Sequence, residues 1–87
     1  MNQIRLGQTD VTASCVGMGT WAIGGDSCWG ANNDEESIAA IKKAREYGIT
    51  LIDTAPAYGL GHSEEVVGRA ILDARDSYVL ASKCGLV

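Results

Sequence analysis

Apolar and polar residues alternate at the start of the chain. Ile4 and Leu6 are spaced by Arg5 and preceded by Gln3, a period of two that puts both on one face of a strand. Gly7-Gln8-Thr9-Asp10 supplies turn residues, after which Val11 and Ala13 resume the alternation. Residues 1–15 are therefore expected to form a hairpin. Cys15-Val16-Gly17-Met18-Gly19 reads as a further short strand, and Gly24-Gly25, Gly30 and Asn32-Asn33 make Trp21 to Asn33 a loop. A loop of that length in a compact unit is a candidate for function.

The period then changes. Asp34 to Tyr47 carries helix signals at both ends: Asn33 or Asp34 as cap, Glu35 and Glu36 in the first turn, Arg45 in the last, and Gly48 as the stop. Ala40, Ile41, Ala44 and Tyr47 share one expected face, bordered by Ile38, and Glu35, Lys42, Lys43 and Glu46 point away. Ile49-Thr50-Leu51-Ile52 is apolar almost without alternation, which suggests a strand buried on both sides, as in a parallel sheet. A loop from Thr54 to His62 follows. Ser63 is expected to cap a second helix with Glu64 and Glu65 in its first turn and Val66, Val67, Ala70, Ile71 and Ala74 on its apolar face. Asp73 to Ser77 turns the chain into a third buried-type strand, Tyr78 to Ser82. Strand, helix, strand, helix, strand at about 30 residues per unit predicts an α/β fold with a parallel sheet. The chain stops at Val87 with no closing helix, and reads as interrupted.

Length and charge narrow the partners. The chain has 87 residues and a net charge of −4. It carries no basic cluster, which argues against nucleic acid. No run approaches the roughly 18 apolar residues that suggest a membrane span, and the N-terminus shows no secretory signal. Cys15, Cys28 and Cys84 are odd in number and lack close metal-ligand spacing, so neither a disulfide framework nor a zinc site is expected, and a reducing cytoplasm fits best.

Two polar residues sit where buried strands end: Asp53 after Ile49–Ile52, and Lys83 after Tyr78–Ser82. Sites in parallel β/α folds lie at these C-terminal ends. On adjacent strands about 4.8 Å apart, such a carboxylate and ammonium can pair. Tyr58 follows Asp53 on the next loop. A tyrosine beside a lysine is a candidate proton donor, because the ammonium favours the phenolate and lowers a pKa that is otherwise about 10. An ordinary ion pair with a surface tyrosine explains the same residues about equally well.

Other motifs have duller explanations. Gly17-Met18-Gly19-Thr20-Trp21-Ala22 fits a G-x-G-x-x-A pattern, but no helix opens at once to receive a pyrophosphate. His62 next to Ser63 is poorly placed for nucleophilic catalysis, and Ser63 is explained as a cap. Cys84 beside Lys83 is expected to be a buried, inert thiol on the opposite strand face. Trp29 serves equally as a substrate wall or a loop anchor, and Glu64 and Glu65 read as helix-dipole acids.

The string Asp53-Thr54-Ala55-Pro56-Ala57-Tyr58-Gly59, with His62-Ser63-Glu64-Glu65 and Gly68, resembles the aldo-keto reductase signature. Val16 to Trp21 and Ser82-Lys83 extend the resemblance across essentially the whole chain. It implies the N-terminal part of a (β/α)8 TIM barrel: a hairpin over 1–15 that plugs the barrel bottom, then the first three strands and two helices over 16–87. It implies an NADP-dependent enzyme that reduces aldehydes or ketones, with no metal. Tyr58 would be the general acid and Lys83 would tune it. Asp53 would pair with Lys83 and lie near the nicotinamide ribose. Gly19, Thr20 and Trp21 would line the nicotinamide end of the pocket, with Trp21 an apolar wall for substrate. The family's catalytic histidine would fall beyond Val87, as would the groups that hold the nicotinamide amide and the 2′-phosphate; His62 does not match that position. The 87-residue chain alone is therefore expected to be inactive and to self-associate or need the rest of a barrel. A partner-binding protein on the same fold, like the potassium-channel beta subunits, is the alternative.

Overall fold

The computed structural model describes residues 2–24 and 33–85. Most of the expected long loop, including Cys28 and Trp29, lies outside the described residues. Strands β1 (Gln3–Arg5) and β2 (Thr12–Ser14) form the expected antiparallel hairpin, with Gln3 opposite Ser14 and Arg5 opposite Thr12. Its turn uses Gly7 at φ 60°, a conformation that costs a glycine little. Thr9 closes it by donating from both N and Oγ1 to the Leu6 carbonyl. Ser14 anchors the hairpin to the sheet. Its buried hydroxyl accepts from the amides of Thr50 and Leu51 at 3.0 and 3.1 Å and donates to the Val16 carbonyl.

The sheet consists of β3 (Gly17–Gly19), β4 (Leu51–Asp53) and β5 (Val79–Ala81), all parallel, with β4 in the middle. Three rows cross it: Gly17–Leu51–Val79, Met18–Ile52–Leu80 and Gly19–Asp53–Ala81. Alternation puts the middle row on one face and the outer two on the other. Ile52 is buried in the helix-side core, whereas Leu51 and Asp53 are only half-buried. Among the described residues the helix side of β4 is covered, and the side that carries Leu51 and Asp53 is half-buried. The run of apolar residues concealed this difference, because Leu51 and Ile52 look alike in sequence but face opposite ways. Leu51 leans over Gly17, where an added Cβ would stand 3.1 Å from its Cδ2.

Helix α1 (Asp34–Glu46) begins at Asn33, whose Oδ1 accepts from the Glu36 amide, and ends as Gly48, at φ 91°, donates to Arg45 O. Its buried residues are Ser37 and Ile41, flanked by half-buried Ile38 and Ala44. Ala40 and Tyr47, expected on the inner face, are exposed. Ser37 can take the inner position because its hydroxyl is satisfied by the Asn33 carbonyl. Tyr47 instead lies outside under the Lys43 ammonium. Helix α2 (His62–Ile71) buries Val66, Val67, Ala70 and Ile71 as its periodicity predicts. These four join Ile23, Ile41, Ile52 and Tyr78 in the main core. Residues Leu72–Ser77 form a 3-10 turn into β5, and Arg45 holds it through a 2.9 Å bond to Ser77 Oγ while lying over the Tyr78 ring. Burial pushes the Tyr78 phenol above its ordinary pKa, against a smaller opposing pull from Arg45. No helix among the described residues is long and apolar enough to cross a membrane.

Candidate active site

Because β4 and β5 are parallel neighbours in register, the chain leaving each reaches the same rim. Lys83, two residues past the end of β5, donates from Nζ to Asp53 Oδ1 and to the Thr54 carbonyl, each at 2.9 Å. The ammonium also lies 5.0 Å from the centroid of the Tyr58 ring. Lys83 is held above the ordinary lysine pKa, first by its hydrogen bond to the Asp53 carboxylate, with the Tyr58 hydroxyl adding to it and desolvation opposing. The three expected chemical residues therefore meet. Asp53 and Lys83 are each about half exposed, which leaves the pair open to small molecules.

The loop after β4 sets Tyr58. Residues Tyr58–Gly61 form a tight 3-10 turn in which Gly59, Leu60 and Gly61 all adopt positive φ, at 59°, 56° and 96°. Leu60 is the one non-glycine residue among the described residues in that region, and its side chain is 96% exposed. Trp21, just past β3, lies beside Tyr58 with ring centroids 6.1 Å apart and planes 25° from parallel. Trp21 is 47% exposed. Gly19 shares a row with Asp53 and Ala81, and the space where its side chain would stand is open.

Thr20 is fully buried. Its hydroxyl donates to the Asp53 carbonyl at 2.8 Å and its amide donates to the same oxygen at 3.1 Å. Ser63, expected as a helix cap, sits instead inside the first turn of α2, and the cap position is Gly61 at φ 96° with no side-chain bond. The Ser63 hydroxyl turns inward to Thr20 O and Oγ1 at 3.0 and 2.8 Å, and lies 2.9 Å from Thr54 Oγ1. The turn through Gly59–Gly61 starts the helix two residues early, at His62 rather than Glu64, which moves Ser63 from the end of α2 to its buried face. This hydroxyl cluster was not anticipated. Its sequence signal is a threonine just beyond each of two strand ends, with a serine beside the next helix start.

His62 Nε2 is 2.8 Å from Asp34 Oδ1, joining the starts of α1 and α2. Glu64 and Glu65 lie in the first turn of α2 as expected, and Glu64 also accepts a 2.6 Å bond from Ser82, next to Lys83. Cys84 is exposed rather than buried, because the chain has left β5 and strand alternation no longer applies there. The G-x-G-x-x-A pattern is followed by a 3-10 turn at Ala22–Gly24, not by an α-helix opening at its end.

Comparison with known proteins agrees with this architecture. The model of the aldo/keto reductase family matches residues 15–87. The chain is 50% identical to aldo-keto reductase YhdN of Bacillus subtilis over 99% of its own length and 26% of the relative's. It is 47% identical to the NADH-specific methylglyoxal reductase of Escherichia coli, over 100% of this chain and 27% of that protein. The crystal structure of an aldo-keto reductase from Klebsiella pneumoniae in complex with NADPH superimposes with a TM-score of 0.73 at 38% identity, covering 84% of this chain and 24% of that one. The chain thus spans about a quarter of the length of the curated relatives it matches. Its fold is the N-terminal part of their (β/α)8 barrel. A sheet that carries Asp53 and Lys83 to one rim beside Tyr58 is what the matched sequence encodes, and the chain belongs to the aldo/keto reductase family.

Proposed function

We propose that this chain supplies the proton-donor side of a carbonyl reductase that uses a nicotinamide dinucleotide, with residues 1–15 as the hairpin and 16–87 as the first strands and helices of one barrel domain. The observation that carries the reading is Lys83, bonded to Asp53 and facing the Tyr58 ring at 5.0 Å. The Tyr58 hydroxyl gives its proton to the carbonyl oxygen while the carbonyl carbon gains a hydride, so that an aldehyde or ketone becomes an alcohol. The Lys83 ammonium stabilises the phenolate that remains. Asp53 keeps Lys83 charged and in place.

The residues present fit the nicotinamide end of such a cofactor. Gly19 leaves open space in the same row as Asp53. The half-exposed Asp53 carboxylate is suited to accept from ribose hydroxyls, and the exposed Trp21 ring offers an apolar wall beside Tyr58. When bound, the dinucleotide supplies the hydride. NADPH is the proposed form, supported by the Klebsiella complex; the Escherichia coli relative, NADH-specific by name, makes NADH the competing form.

The test is carbonyl-dependent oxidation of NADPH and of NADH by the complete barrel that carries this chain, with a panel of aldehydes and ketones. Turnover should be detectable, and Tyr58→Phe should lower it by about 10²–10⁴-fold with cofactor affinity nearly unchanged. Absence of carbonyl-dependent oxidation with both dinucleotides would overturn the reading in favour of a partner-binding role.

A further inference from the structure

We propose that a buried chain of hydroxyls, Thr54 to Ser63 to Thr20, positions Lys83 for the proton transfer, with Ser63 as its central link. This rests on the reading of Tyr58 as proton donor and Lys83 as the group that tunes it. All three hydroxyl residues are essentially inaccessible, at 1%, 0% and 0% exposure.

The direction of the chain follows from counting protons, since each hydroxyl has one to give. Thr20 Oγ1 gives its proton to the Asp53 carbonyl at 2.8 Å. It therefore accepts from Ser63, whose hydroxyl points to Thr20 Oγ1 at 2.8 Å and Thr20 O at 3.0 Å. With its proton directed to Thr20, Ser63 must accept from Thr54 Oγ1 at 2.9 Å. Both ends of this chain lie on consecutive residues, Asp53 and Thr54. These are the two residues that hold the lysine: Asp53 through Oδ1 and Thr54 through its carbonyl, each 2.9 Å from Nζ.

The Asp53–Thr54 segment is thus fixed from several directions. The Asp53 carbonyl accepts from the Thr20 amide and hydroxyl, and the Thr54 amide donates to Ala81 O at 2.8 Å. Only the Thr54 side chain remains to be set, and Ser63 sets it from α2. Helix α2 is in this way tied to the perch of the ammonium, by groups that never reach the solvent-facing site. Burying three hydroxyls is costly unless all are bonded, and among the described residues no buried side-chain nitrogen or oxygen lacks a partner. A small misplacement of a catalytic group is enough to slow turnover severely.

The test compares Thr54→Val, Ser63→Ala and Thr54→Ser in the complete barrel with Lys83→Met, reading kcat, the carbonyl KM and the pH dependence of kcat. Thr54→Val is nearly isosteric and keeps the experiment decisive if Ser63→Ala does not fold. Thr54→Val and Ser63→Ala should lower kcat about 10–100-fold, leave the carbonyl KM near wild type, and move the alkaline limb of the profile in the same direction as Lys83→Met. Thr54→Ser, which retains the hydroxyl, should restore both rate and limb. A folded Thr54→Val with wild-type kcat and an unmoved limb, alongside a Lys83→Met that does move it, overturns the positioning role and leaves the proton-donor reading intact. If Lys83→Met itself leaves the limb unmoved, the underlying reading fails, and the proposal with it.

Discussion

The Lys83 ammonium stands 5.0 Å from the centre of the Tyr58 ring while bonded at 2.9 Å to Asp53 Oδ1. The arrangement needs three separate segments: the end of β4, the tight turn after it, and the chain leaving β5. Parallel pairing of β4 with β5 aligns the first and third. The left-handed run Gly59–Gly61 turns the second immediately after Tyr58. The site is therefore a property of strand register and one strained turn, and predictions follow for each part.

Leu60 holds φ 56° and ψ 45° with its side chain 96% exposed. Left-handed backbone costs a non-glycine residue about 1–2 kcal/mol, and there is almost no packing to lose. Leu60→Gly should remove that strain, less the roughly 0.5–1 kcal/mol of added chain entropy, for a net gain of about 0.5 kcal/mol. The β-branched Leu60→Val should destabilise instead. Thermal or urea unfolding of the complete barrel checks the order Gly, Leu, Val; a glycine variant that loses stability contradicts the strain assignment.

Tyr78 has a folded pKa raised above the ordinary 10.0 by burial. Above that ordinary value the unfolded chain releases the phenolic proton first, so stability is full below about pH 10 and falls as pH rises toward the folded value. Tyr78→Phe should flatten this alkaline loss of stability. Urea midpoints between pH 8 and 11 measure it, and equal slopes for the two proteins would show that Tyr78 is not the group responsible.

Apolar side chains remain open on the hairpin and sheet: Ile4 at 50%, Val11 at 44%, Val16 at 49% and Leu80 at 37% exposure. Each is worth about 1.5–3 kcal/mol if fully buried. Alone, the 87-residue chain should self-associate and bind NADPH weakly. Sedimentation with NADPH titration reads both properties, and a monomer that binds the dinucleotide tightly would contradict the proposed dependence on further barrel strands.

Much of this was legible in the sequence. The hairpin, the two helices, the parallel strands and the convergence of Asp53, Tyr58 and Lys83 all follow from periodicity and strand ends. What was not legible depended on turns. Ser63 looks like a cap because serine before two glutamates is a cap signature, and only the left-handed turn through Gly61 shows that the helix starts two residues earlier, at His62. Tyr47 looks like a core residue by spacing, but α1 ends at Glu46, and Tyr47, at the cap with non-helical backbone, lies exposed beneath the Lys43 ammonium. The Thr20–Ser63–Thr54 cluster joins residues up to 43 positions apart, and local pattern cannot report such contacts.

The central claim is that Lys83 acts on Tyr58, and the pH profile of Lys83→Met tests it most directly. Lys83 is bonded to Asp53 and stands over the Tyr58 ring, and an ammonium so placed stabilises negative charge that develops on the phenol oxygen during proton transfer. Under conditions where chemistry limits turnover, Lys83→Met should slow carbonyl reduction and move the alkaline limb of the rate profile to higher pH. A slower enzyme whose alkaline limb coincides with that of the wild type would contradict it.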